Sequence, residues 1–159
     1  MSFSRFIGAI VVLAIFSQTY GQVEKRYVVL SATESQVAAE RFVRWPREKV
    51  NGTWMLSQSD VDGVESNLAR IADIPFPNRG SSGSQIPHPE GYFRQYAGIV
   101  LDGHRIVYLN ALCERAGNKY ETYWRERFVI VFDGGDCYWN VRYDPETRQF
   151  SNLMVNGVG

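Results

Sequence analysis

Chemistry-bearing residues are scarce in this chain: 159 residues hold two histidines and two cysteines. His88 lies between prolines and His104 follows the Asp102-Gly103 turn. Neither stands in a nucleophile motif, and no G-x-S-x-G occurs, so both read as solvated loop residues and no catalytic site assembles. An excess of one charge is missing too, since 17 Lys+Arg face 17 Asp+Glu. Nothing in that balance draws nucleic acid or an anionic membrane surface. Metal ligands are equally thin. Asp133-Gly-Gly-Asp136 puts two carboxylates beside a two-residue turn with no third oxygen ligand near in sequence, so no metal and no cofactor is expected. The same pair fixes no separation of the kind a glycosidase needs. Asn51-Gly-Thr53 fits the glycosylation pattern, which matters only in a eukaryotic secretory pathway. There is no internal repeat.

Long apolar runs are also absent. Ile7 to Phe16 is ten residues, about half of the twenty or so that a spanning helix needs. Preceded by Arg5 and followed by the polar stretch Ser17 to Gln22, it reads as a signal peptide over 1–21, cleaved after Gly21, with a retained anchor as the lesser alternative. The expected address is therefore export, periplasmic or extracellular, with no membrane span after cleavage. No cysteine follows the run to take a lipid. The remainder suits one domain, divided into an N-terminal covering segment, 22–56, and a helix-plus-sheet unit, 57–159.

Aromatic residues are plentiful at 14%, which fits a sheet-rich core. Arg26 to Leu30 has strand composition. Ala38, Phe42 and Trp45 recur at helical spacing behind Thr33 and Gln36, predicting a helix over 34–44 that Pro46 stops. Val61, Val64, Leu68 and Ile71 form one stripe, predicting a helix over 59–72 capped by Ser57 or Ser59. Residues 74–91 hold four of the six prolines and read as a linker.

Two tight turns then organise the rest. Asp102-Gly103 favours a two-residue hairpin loop, which pairs Ile99 with Ile106, Tyr96 with Leu109 and Gln95 with Asn110. Gly134-Gly135 read the same way pairs Phe132 with Cys137, Ile130 with Trp139, Phe128 with Val141 and Arg127 with Arg142. Across the 114–123 junction, Cys113 is set opposite Trp124, and 149–155 adds an edge strand. One face then carries Tyr96, Gly98, Val100, Val107, Leu109, Ala111, Phe128, Ile130, Phe132, Trp139 and Val141, and the 59–72 helix covers it. The expectation is an α+β fold: an antiparallel four- to five-stranded meander packed against one main helix, in a cystatin-like layout. The Q-x-V-x-G inhibitor signature of cystatins is absent, because Gln95-Tyr-Ala-Gly98 is one residue short.

Tyr92-Phe-Arg-Gln-Tyr-Ala-Gly98, Asp133-Gly-Gly135 with Trp139-Asn-Val-Arg-Tyr-Asp144, and Phe150-Ser-Asn-Leu153 before Asn156-Gly157 together form a spaced pattern over the last seventy or so residues. It resembles a group of small exported bacterial proteins with no assigned activity. The resemblance implies an envelope or secreted location and supplies no catalytic residues.

The other sheet face offers the candidate site. Gln95, Asn110, Arg127 and Arg142 fall in one row, with Tyr108 and Tyr138 nearby, and guanidinium forks beside phenols suit a carboxylate, a sugar or a protein. The competing reading is a solvated or covered face. Cys113 and Cys137 pose a conflict: an exported pair normally bonds, yet this meander separates them by about 27 Å, where a disulfide tolerates about 7 Å. Export favours the bond. The functional expectation is a non-enzymatic binding module for an unknown protein or polar ligand. Its rivals are a periplasmic inhibitor of an envelope hydrolase presenting 86–91 or 114–123, and a small hydrolase with an unrecognised site.

Overall fold

A computed structural model of the chain describes residues 25–42, 48–76, 85–120 and 122–157. The expected signal peptide, Pro46 and the middle of the 74–91 linker lie outside the described residues.

Helix α1, Ala32–Phe42, starts two residues earlier than the periodicity suggested, because the Ser31 hydroxyl accepts the Glu34 N–H at 3.2 Å and caps it ahead of Thr33. Helix α2, Gln58–Glu65, opens on a reciprocal capping box between Ser57 and Asp60. The expected 59–72 helix does not run through. After Glu65 it tightens into a 3-10 segment, Leu68–Asp73, where Ser66 and Asn67 side chains donate to the Gly63 carbonyl in competition with the backbone. Val61, Val64, Leu68 and Ile71 are buried together all the same.

Among the described residues six strands form one sheet: β1 (Tyr27–Val29), β2 (Val50–Trp54), β3 (Phe93–Leu101), β4 (His104–Leu112), β5 (Tyr138–Asp144) and β6 (Gln149–Val155). The order is β1-β3-β4-β5-β6, with β2 on the same edge of β3 as β1. Strand β1 runs parallel to β3, so the sheet is mixed and the expected antiparallel meander is corrected. The segment 22–56 thus contributes two strands as well as cover. The first hairpin has the expected register, with Gln95 opposite Asn110 and Ile99 opposite Ile106.

The second hairpin does not form. Strand β5 pairs directly with β4, Leu109 opposite Val141 and Asn110 opposite Asn140, so none of the pairs that Gly134-Gly135 implied for Phe128, Ile130, Phe132 and Arg127 exists. Gly134, at φ 92°, opens a short 3-10 turn into β5 instead. The 114–123 junction folds into α3, Glu114–Tyr120, and α4, Tyr123–Glu126, and Cys113 faces Cys137 rather than Trp124. Their disulfide, with Cα atoms 4.7 Å apart, is incompatible with a strand inserted between them.

One sheet face packs Tyr96, Val107, Leu109, Ala111, Trp139 and Val141 against α2 and the 3-10 segment, as the stripe required. Phe128, Ile130 and Phe132 are not there. Phe128 packs on the opposite face with Ala38, Ala39, Ala97, Ile99 and Tyr108, beside a third cluster built on Leu112, Ala116, Trp124 and Val129. Both faces of β3 and β4 are therefore covered. Glu65 fastens α2 to the sheet: Arg94 donates to both its carboxylate oxygens at 3.0 and 3.1 Å, and the Tyr96 hydroxyl donates to it as well.

Candidate functional site

The site follows from what residues 127–133 do instead of forming a strand. Their backbone crosses the second sheet face without a ladder partner, and its polar groups need others. Gln95, fully buried, satisfies two of them and one just upstream: its Nε2 donates to the Arg127 and Trp124 carbonyls, each at 2.6 Å, and its Oε1 accepts from Val129 N at 2.9 Å. Asn110 Nδ2 donates to Gln95 Oε1 at 2.9 Å and to the Val129 carbonyl at 3.0 Å. All four hydrogen-bonding positions of the Gln95 amide are thereby used. Glu34 on α1 takes Phe128 N at 2.7 Å and pairs with Arg127 at 3.0 Å, while Asn156 donates to the Val131 and Asp133 carbonyls. The Phe128 N–H holds the Glu34 carboxyl below its ordinary range; burial opposes this and Arg127 assists it.

Beyond the crossing segment the second face lies open over β5 and β6. A groove of about 660 Å³ results. Tyr108, Asn110, Tyr138, Asn140 and Arg142 line it from the sheet, Phe128 to Phe132 from the crossing segment, and Leu153 and Met154 from β6, with Arg41 of α1 also among its walls. Phe132 is 74% exposed, while the Arg142 side chain is only 12% exposed and pairs with Glu48 at 2.6 Å. Burial raises the Tyr108 phenol well above its ordinary range, against the opposing pull of Arg142, so it stays neutral at physiological pH.

Four of the six candidate residues, Asn110 and Arg142 of the expected row and the nearby Tyr108 and Tyr138, thus line one groove. The other two do not. Gln95 is interior scaffolding, and Arg127, its side chain 62% exposed, pairs with Glu34 away from the groove. Arg41, the aromatic and aliphatic wall and Glu48 were missed, because they arrive from segments that pattern reading had assigned elsewhere or left unassigned. Only the alternation that put Asn140 and Arg142 on one face was available as a signal.

Neither histidine lines the groove: His88 sits near Glu90 at 3.5 Å in solvent, and His104 is exposed at the β3–β4 tip. Among the described residues no three His, Cys, Asp or Glu gather as a metal set, and no helix is long and apolar enough to cross a membrane. The Cys113–Cys137 disulfide is compatible with an exported protein. No family model, curated protein or solved structure matches the chain.

Proposed function

We propose that the chain is an exported, non-enzymatic binding domain and that its groove takes a small ligand with an apolar body and a polar head. The single observation that carries this is the groove's make-up. Its volume lies within the roughly 300–1,000 Å³ of small-molecule sites, and it sets an apolar wall over a floor of amides, phenols and a guanidinium. The envelope or secreted location implied by the resemblance belongs to the same reading. The cystatin-like layout serves only as an analogy of helix over sheet.

An inhibitor reading finds less support. Ile86 is buried and Arg94 grips the Glu90 carbonyl at 2.8 Å, so 86–91 is held against the body, and α3 and α4 occupy most of 114–123. The test is a fluorescence titration with N-phenyl-1-naphthylamine, an uncharged apolar probe. Saturable binding at one site, weakened by Phe132→Ser in a variant of unchanged urea midpoint, is the expected result. A probe response that never saturates, or that ignores Phe132→Ser, refutes the reading.

A further inference from the structure

Charge distinguishes this groove from an ordinary apolar cleft. Among the described residues that line it, two are arginines, Arg41 and Arg142, and none is acidic. Arg41 stacks its guanidinium over the exposed Phe132 ring, 5.6 Å from the centroid. Arg142 stands on the sheet floor opposite Tyr108 of β4 and Ser151 of β6, mostly buried, with its Nη1 donating to Glu48 Oε1 at 2.7 Å and lying 2.6 Å from Oε2. Glu48 does not line the groove. It reaches Arg142 from the start of β2, where Lys49 and Asp102 exchange two hydrogen bonds at 3.0 and 2.9 Å and fix the chain beside it. Among the described residues two guanidinium groups thus stand against one carboxylate, a balance that favours an anion and disfavours a cation.

The neighbouring edge of β6 gives no comparable case for a peptide. It carries an irregularity opposite Asn140 and Arg142, with Asn152 at φ 53°, and such a bulge turns an edge away from strand addition. A small molecule fits the groove better than an added strand does.

Resting on the binding reading above, we infer that the ligand is a small organic anion, its apolar body against Phe128, Ile130, Phe132 and Met154 and its head on Arg142 and Arg41. Glu48 is its built-in competitor for Arg142. A carboxylate from the chain's own Glu48 shows which chemistry Arg142 accepts, and a ligand carboxylate or sulfonate must displace it. Affinity for anions is therefore held down by one partly buried ion pair, while affinity for neutral apolar molecules is not.

Two probes of similar body and different head test this: 8-anilinonaphthalene-1-sulfonate and uncharged N-phenyl-1-naphthylamine, titrated into the full chain and its variants. The sulfonate should bind more tightly than the amine and lose that advantage in Arg142→Gln. Glu48→Gln should tighten the sulfonate about three- to fivefold, the factor equivalent to an ordinary partly exposed ion pair, and leave the amine unchanged. The double variant should behave as Arg142→Gln alone, because the competitor acts only through that arginine. Urea midpoints identify any variant that fails to fold; if Arg142→Gln does, the Glu48→Gln arm decides alone. Saturable amine binding with no sulfonate advantage, or with no response to Glu48→Gln, overturns the inference and leaves the binding domain standing. Failure of both probes to saturate removes both.

Discussion

Replacing Gln95 with methionine keeps the side-chain volume and deletes its amide, which isolates what that amide does. Four hydrogen bonds disappear: those to the Trp124 and Arg127 carbonyls, and those from Val129 N and Asn110 Nδ2. Asn110 keeps its bond to the Val129 carbonyl, so its loss is partial. The Val129 N–H and the two carbonyls are left without their partner at a fully buried position. Each orphaned group costs about 1–3 kcal/mol, carbonyls toward the low end, and relief from burying the amide offsets part of the total. A net loss of about 3–5 kcal/mol follows, a large share of the roughly 5–15 kcal/mol by which a domain is stable. For a chain of this size that is a fall in Tm of about 10–20 °C. Urea unfolding followed through the buried Trp124 and Trp139 measures it, and hydrogen exchange at the Val129 amide should speed by a comparable free energy. Gln95→Glu should be worse at neutral pH, since it turns an oxygen toward two carbonyls. A Gln95→Met protein within about 1 kcal/mol of the parent refutes the argument that this amide carries the crossing segment, and a milder Gln95→Glu refutes its orientation.

Three further outcomes are expected. Because the folded Glu34 carboxyl sits below its unfolded value, its stabilisation is complete above the ordinary carboxylate range near pH 4.3 and is lost as pH falls through the depressed folded value. Glu34→Gln should thus lower the urea midpoint at pH 7 and flatten its decline as pH falls through and below the ordinary carboxylate range; an unchanged acid limb counts against the latch. Gly98→Ala would place a Cβ 2.3 Å from the Trp54 carbonyl oxygen and 3.1 Å from its ring, so strand β2 must shift. A loss of about 1–3 kcal/mol with an altered Trp54 near-UV signal should follow, and a silent substitution contradicts that packing. Removing the disulfide by Cys113→Ser with Cys137→Ser frees a loop of sequence separation 24, for which chain entropy gives about 3.4 kcal/mol; calorimetry finding less than about 1 kcal/mol refutes that account.

Much of the fold was legible where neighbours in sequence do the work. The Asp102-Gly103 turn sets the β3–β4 register because two residues with the right backbone freedom leave one alignment. Val61, Val64, Leu68 and Ile71 stay on one face whether the backbone is α or 3-10, so the stripe identified its buried side even though the helix broke. The reading failed at 124–132. Val129, Ile130, Val131 and Phe132 have strand composition, and a double glycine follows, so local preference and turn chemistry agree on a hairpin that does not exist. What defeats it is distant: the disulfide and two amides on β3 and β4. Side-chain bonds to a backbone 19 to 29 residues away leave no period in the sequence. The candidate site inherits the same division. Its sheet floor followed from alternation, and its wall did not.

Taken alone, the order of amino acids determined the Asp102-Gly103 turn, the apolar stripe, the facing of β3, β4 and β5 and the presence of two cysteines in a chain read as exported. Only the tertiary structure decided which segment lies beside β4. A strand edge accepts a single neighbour along its length, and two apolar segments compete for this one. The covalent tie between Cys113 and Cys137 gives the place to β5, and the displaced segment, hung on Gln95 and Asn110, becomes the wall of the groove.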